Sequence, residues 1–415
     1  MNAPAEHRDE RLPWALLLTL AITYALAFVD RAIVGLMMQE ISNDLHISRT
    51  NTSLLVGTGF AVVFSLAGVA VALFLSHIQP RLVVGLGVVV WSLATVGCAL
   101  AQTPAAFLVA RMGVGIGEAA LVPMAYAWIS MRAPHQRLGL AMACFTMGVS
   151  LGNGLSLGVG GQVIEWLTAT LGEAPTYGLS PWRMVLVACG LLGLPVAALV
   201  MLVDREPVPG IARPNLGAGW PRPFPTLCLF LGFACIVGVY YIQLFWAVEF
   251  FRTSFGLGLS SVALLLGIAA GPGVAVGALM GGAIGDRIAK QNIVLPHAQM
   301  MIWASALQLS LFALAFLSND VRTSIGAFIA AMVAHGAVGG AMGPSIAQLF
   351  STEKRALATS IGIGFSTFGG LGVAMPLVGW MAEIWDIRSA MAWSATILLL
   401  ASMILLALAR QVRRA

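Results

Sequence analysis

The sequence predicts an all-α membrane protein, with twelve transmembrane helices arranged as two pseudo-symmetric six-helix bundles. Three observations carry this. Only 9% of the 415 residues are charged and 59% are hydrophobic, whereas a soluble domain carries about 25% charged residues to face water. The apolar residues fall into about twelve runs long enough to cross a bilayer, which takes about 20 residues each. Residues also recur at fixed offsets between the two halves of the chain.

The expected spans are 12–38, 50–75, 82–101, 104–131, 136–163 and 182–203, then 224–251, 260–284, 293–317, 322–349, 355–381 and 387–409. The stretch DREPVPGIARPNLGAGWPRP (204–223) is the one substantial polar interruption, and its prolines and glycines break helices. It reads as a cytoplasmic linker between an N-terminal bundle (1–203) and a C-terminal bundle (224–415). The N-terminus, MNAPAEHRDER, does not read as a signal peptide, because its charges are mixed and the apolar run after it is too long.

Lysine and arginine give the orientation. With both termini inside, fifteen of the 22 fall on the inner side. Five (Arg49, Arg183, Arg252, Arg322 and Arg388) fall on the outer side, and Arg31 and Arg111 lie within helices. Cytoplasmic loops of membrane proteins carry this excess of basic residues. The expectation is a multi-pass protein of the plasma (inner) membrane with both termini cytoplasmic. The same distribution removes nucleic acid as a partner, although the net charge is +5. The five cysteines all lie in apolar runs without metal-ligand spacing, so neither disulfides, metal nor cofactor is expected.

A shift of 218 superposes Arg137 on Arg355, Gly152 on Gly370, Gly154 on Gly372, Gly161 on Gly379 and Glu165 on Glu383. A shift of 210 superposes Gly57 on Gly267. Parallel repeats about an axis normal to the membrane are one transporter architecture, with substrate near the midplane between them. Glu165 and Glu383 fall at outer helix ends and read as interface residues.

Four ionisable residues lie inside spans: Asp30 and Arg31 in the first helix, Arg111 and Glu118 in the fourth. An intramembrane charge costs several kcal/mol unless paired or hydrated, so each is a functional candidate. Asp30 and Arg31 point about 100° apart and suit different partners, Arg111 being one for Asp30. The four charges sum to zero, so a proton on Asp30 or Glu118 leaves a net positive site that favours an anionic group. Asp30 and Glu118 are therefore the proton-coupling candidates, and Arg31 and Arg111 the substrate-binding ones. The alternative is that these charges only fix helix packing.

At the shift of 210 the second half has Tyr240 and Tyr241, with Gln243, Trp246 and Glu249 nearby. This aromatic, hydrogen-bonding helix suits the apolar body of an amphipathic substrate, although such residues also anchor helices at the membrane interface. His335 is a further candidate for substrate contact, against the reading of a packed core histidine. No nucleophile–base or metal constellation suggests an enzyme. GVGIGEA (113–119) follows no strand and is not a nucleotide loop.

RMGVGIGEAA (111–120), PWR (181–183) and GAIGDRIAK (282–290) together resemble motifs of the major facilitator superfamily. In the last of these, Gly282, Asp286, Arg287 and Lys290 match the superfamily's latch loop between helices 8 and 9. The corresponding first-half loop, FLSHIQPR (74–81), has Ser76 and His77 where Asp and Arg are expected. FVDRAIVGL (28–36) with GIGEAA (115–120) is most similar to the Spinster-type branch. The resemblance implies a monomeric carrier that rocks between two open states. It also implies a coupling acid and adjacent arginine at Asp30 and Arg31, the helix-4 arginine and glutamate at Arg111 and Glu118, and transport of sphingolipid- or lysophospholipid-like molecules. An Asp-Arg pair in the first helix also resembles organic-anion symporters, so small aromatic or carboxylic acids are the alternative substrates.

Overall fold

Lipid offers backbone N–H and C=O groups no partner, so each apolar run closes its own hydrogen bonds as a helix. The computed structural model describes residues 12–75, 78–134, 137–171, 179–205, 223–290, 295–339, 341–350 and 352–411. Among these, twelve helices are long and apolar enough to cross a membrane. In the first half they are α1 Trp14–Leu36, α2 Arg49–Leu75, α3 Pro80–Leu100, α4 Pro104–Arg132, α5 Leu138–Leu171 and α6 Pro181–Leu202. In the second they are α7 Pro223–Phe255, α8 Leu259–Gly285, α9 Pro296–Leu317, α10 Val321–Ile346, α11 Leu357–Ile384 and α12 Ile387–Ala409. An even number of spans leaves Trp14 and Ala409, the start of α1 and the end of α12, on one face.

Local chemistry sets the boundaries. Helices α3, α4, α6 and α9 begin at proline, whose missing N–H would have no partner in a first turn anyway. Side chains of Ser48, Thr103 and Asp386 cap the starts of α2, α4 and α12. Ser389 hydrogen-bonds the Asp386 carboxyl and holds it below the usual aspartate range. Helices α5 and α7 run on to Leu171 and Phe255, past their expected ends, because nothing in QVIEWLTATL (162–171) or FRTSF (251–255) breaks a helix. Leu279 and Leu317, 77% and 71% exposed, belong to the apolar outside that lipid permits.

The same neighbours recur in both halves. Helix α1 packs on α5 as α7 packs on α11; α3 packs on α4 and α6 as α9 packs on α10 and α12. Between the halves α5 lies on α8 and α2 on α11. These two seams explain most of the repeated glycines, while Gly152 and Gly370 instead admit α1 and α7 of their own halves. A Cβ on Gly57 would collide with the Leu371 carbonyl of α11, and one on Gly267 would stand 2.6 Å from the Gly158 nitrogen of α5. Small residues let helix backbones approach this closely.

Of the linker expected at 204–223, residues 206–222 lie outside the described residues, as do Ser76 and His77. Asp204 is not free: it accepts hydrogen bonds from the Trp128 indole at 2.6 Å and Arg132 Nε at 2.7 Å, tying the end of α6 to α4.

Candidate functional site

Asp30 and Arg31 are neighbours on α1 and take different partners. Arg31 Nε and Nη2 each reach Glu118 Oε2 at 2.5 Å. Arg111 Nη1 reaches Asp30 Oδ2 at 3.3 Å, while its Nε donates to the Val56 carbonyl at 3.4 Å. Thr95 Oγ1 donates to Asp30 Oδ1 at 2.8 Å. No more than 4% of any of the four charged residues is exposed.

The pairs sit in an aromatic box. The Arg31 guanidinium lies 4.7 to 5.0 Å from the ring centroids of Phe28, Phe60 and Phe64. Arg111 lies 5.3 Å from the same Phe60 ring. Such contacts favour a cation once it is out of water. A guanidinium does not give up its proton in a protein, so only the carboxylates can change the charge here. Glu118 Oε1 has no hydrogen-bond partner among the described residues. Each pair sets one arginine charge against one carboxylate charge, so an anionic ligand meets an uncompensated cation only where a carboxylate is protonated or displaced.

The second half faces this box with neutral groups. Tyr240 accepts a hydrogen bond from Asn153 Nδ2 at 2.7 Å and stacks on His335 with centroids 4.7 Å apart. Tyr241 lies within electrostatic reach of Arg31 and Tyr24. Gln243 is 1% exposed, and neither of its amide atoms has a partner among the described residues. Trp246 behaves differently. Its indole donates to the Met375 carbonyl at 3.1 Å and packs at Gly379, so it fixes α7 to α11. Gly282, Arg287 and Lys290 are exposed at the terminus-bearing end of α8, and the Asp286 side chain lies outside those described.

On the face opposite the termini the halves are bridged. Arg49 pairs with Glu249 at 2.6 Å. Glu383 accepts from the Thr50 backbone N–H at 2.8 Å, and Glu165 from that of Ser260 at 3.2 Å. These two glutamates, expected as interface residues at outer helix ends, each also cap a helix start in the other half. Sequence reading missed Thr95, Asn153 and the phenylalanine box. Thr95 and Asn153 had a weak signal, being polar side chains within apolar or glycine-rich runs, though serines stand near both. The phenylalanines had none, since Phe is ordinary in any membrane helix.

The chain is similar to known transporters over most of its length. An MFS-type efflux pump of Mycolicibacterium smegmatis is 28% identical over 90% of this chain and 87% of that protein. A probable sphingolipid transporter, spinster homolog 2 of Arabidopsis thaliana, is 27% identical over 48% of this chain and 38% of that protein. A solved bacterial homolog of the human lysosomal transporter Spinster, inward-facing and occupied, superposes with a TM-score of 0.74 at 24% identity. That superposition covers 96% of this chain and 95% of the other. The Major Facilitator Superfamily profile matches residues 20–298. With twelve spans, two seamed halves and this match, the chain belongs to the Major Facilitator Superfamily and is a transporter, not an enzyme.

Proposed function

We propose that this transporter is a proton-coupled secondary carrier of an amphipathic, lipid-like substrate with an anionic head, working by alternating access. The buried Arg31–Glu118 pair, with Glu118 Oε1 lacking a partner among the described residues, carries the reading. A proton on Glu118 removes the charge that holds Arg31, while Arg31 keeps its own. An unpaired cation at this depth costs several kcal/mol, so an anionic head that replaces the carboxylate is favoured. Proton binding thereby prepares substrate binding. Asp30 and Arg111 form a second, parallel pair able to pass through the same states. Tyr240, Tyr241, Gln243 and His335 supply the opposing wall, with Trp246 holding that wall on α11.

In this reading residues 1–203 and 224–415 rock about the site as two bodies. The termini face the cytoplasm from the inner membrane, and Gly282, Asp286, Arg287 and Lys290 act as the latch on that side. The relatives named for Spinster support a lipid-like substrate. A second reading, proton symport of small organic acids, has one observation in its favour. Arg31 and Arg111 flank a single ring, Phe60, at 4.9 and 5.3 Å, and could together clamp a carboxylate.

The test is flux in proteoliposomes under an imposed pH gradient, with labelled lysophosphatidic acid beside labelled phenylacetate. Gradient-driven movement of the lipid, abolished by Glu118→Gln while exchange without a gradient persists, supports the first reading. Movement of phenylacetate alone transfers the function to the second. Unchanged gradient dependence in Glu118→Gln removes Glu118 from the mechanism.

A further inference from the structure

We propose that Asn153, Tyr240, Gln243 and His335 form a neutral seat that recognises a hydroxyl group of the substrate, separate from the charged pairs. The inference rests on the transport reading above and adds the chemistry of a second recognised group.

The four residues come from α5, α7 and α10, and so from both halves. Asn153 is fully buried; its Nδ2 is spent on the Tyr240 hydroxyl, but its Oδ1 has no partner among the described residues. The Tyr240 ring lies flat on His335, at 11° between planes, and His335 Nδ1 also lacks a partner. Gln243 lies about one turn along α7 from Tyr240, with both amide atoms unpaired among the described residues. A buried polar atom without a hydrogen bond is destabilising, and native proteins leave few of them. Several of them on neighbouring side chains mark a place that is hydrogen-bonded by something that comes and goes.

The kind of visitor follows from charge and from donor–acceptor type. The charged residues of these helices closest in sequence are Glu165, Glu249 and Arg322. At 1.5 Å per residue they stand about 18, 14 and 20 Å along the helix axes from Asn153, Tyr240 and His335; Glu249 stands about 9 Å from Gln243 and is already paired with Arg49 at 2.6 Å. Tyr241, the next residue, is the one within electrostatic reach of Arg31. A formal charge brought to the seat would therefore meet no counter-charge on its helices. Amide and imidazole side chains both donate and accept, and a hydroxyl does both through one atom. A methylene does neither. Because the Asn153–Tyr240 bond joins the halves, a hydroxyl inserted there also changes how firmly they close.

The test compares probes that differ by one hydroxyl. Flux and half-saturation are measured in proteoliposomes for lysophosphatidic acid against its 2-deoxy analogue, and for mandelate against phenylacetate. Wild-type protein is compared with Asn153→Ala and with Tyr240→Phe, which keeps the ring and its stack. The expected result is a preference of about tenfold or more for the hydroxylated member of the transported pair. It should fall to about threefold or less in both variants. Equal handling of a transported pair, or a preference unchanged in Tyr240→Phe, overturns the inference and leaves the transport reading standing. If only the acids move but the preference and its loss are seen, the lipid reading fails and the seat stands. Movement of neither pair overturns both.

Discussion

Glu165 and Glu383 stand 218 positions apart, and each accepts a hydrogen bond from a backbone N–H at a helix start in the opposite half, at Ser260 and Thr50. A carboxylate at a helix N-terminus meets unpaired N–H groups and the positive end of the helix dipole. Here the helix and its cap belong to different halves, so the contact exists only while this face is closed.

Removing both caps should therefore favour opening of that face. At about 1 kcal/mol per cap, Glu165→Ala with Glu383→Ala should shift the closed-to-open ratio by roughly 5- to 30-fold. Spin labels at Asn51 and Trp385, both exposed, would report this as growth of the longer-distance population. An unchanged distance distribution would show that the caps contribute nothing to closure.

The seams themselves should be intolerant of bulk. Gly57→Val meets the Leu371 carbonyl and Gly267→Val the backbone of Gly158, so neither seam can close without a backbone shift. Both variants should lose about tenfold or more of their flux while remaining folded. Wild-type flux from either, measured at matched reconstitution, would mean that close approach here is dispensable.

Asp30 should matter to folding as well as to transport. Asp30→Ala leaves Arg111 buried without its carboxylate, for which a loss of about 3–5 kcal/mol is expected. Adding Arg111→Met should recover much of that loss, because removing both partners leaves no stranded charge. Thermal unfolding in detergent would read both effects. Losses that simply add would show the two residues to be independent.

The Asp386 cap offers a control outside the spans. Asp386→Ala should lower stability by about 1 kcal/mol at neutral pH. Ser389 depresses the carboxyl's folded pKa, so the cap's contribution is present above the unfolded value of about 3.9 and is lost as pH falls through the lower, folded one. The stability difference between wild type and variant should thus close in acid. A difference independent of pH would assign the effect to something other than the charge.

Much of this protein was legible in one dimension. The count and order of the spans follow from apolar runs, because a bilayer fixes the length that a helix must reach. The charged residues stood out for the same reason: lipid makes an isolated charge costly, so Asp30, Arg31, Arg111 and Glu118 could be singled out from sequence. The spacing of Asp30 and Arg31 also suited them to different partners.

Tertiary structure alone decided the rest. Helical periodicity gives the face of a helix on which a side chain lies, but not the depth or angle at which another helix crosses that face. That depth makes Glu118 the partner of Arg31, sets Phe60 between two guanidiniums, and brings Asn153 to Tyr240 across the midline. It also ties Trp246, a candidate for the substrate, to α11. The repeated glutamates and most of the repeated glycines were visible as a pattern, yet their meaning is a contact between halves, which no single repeat contains.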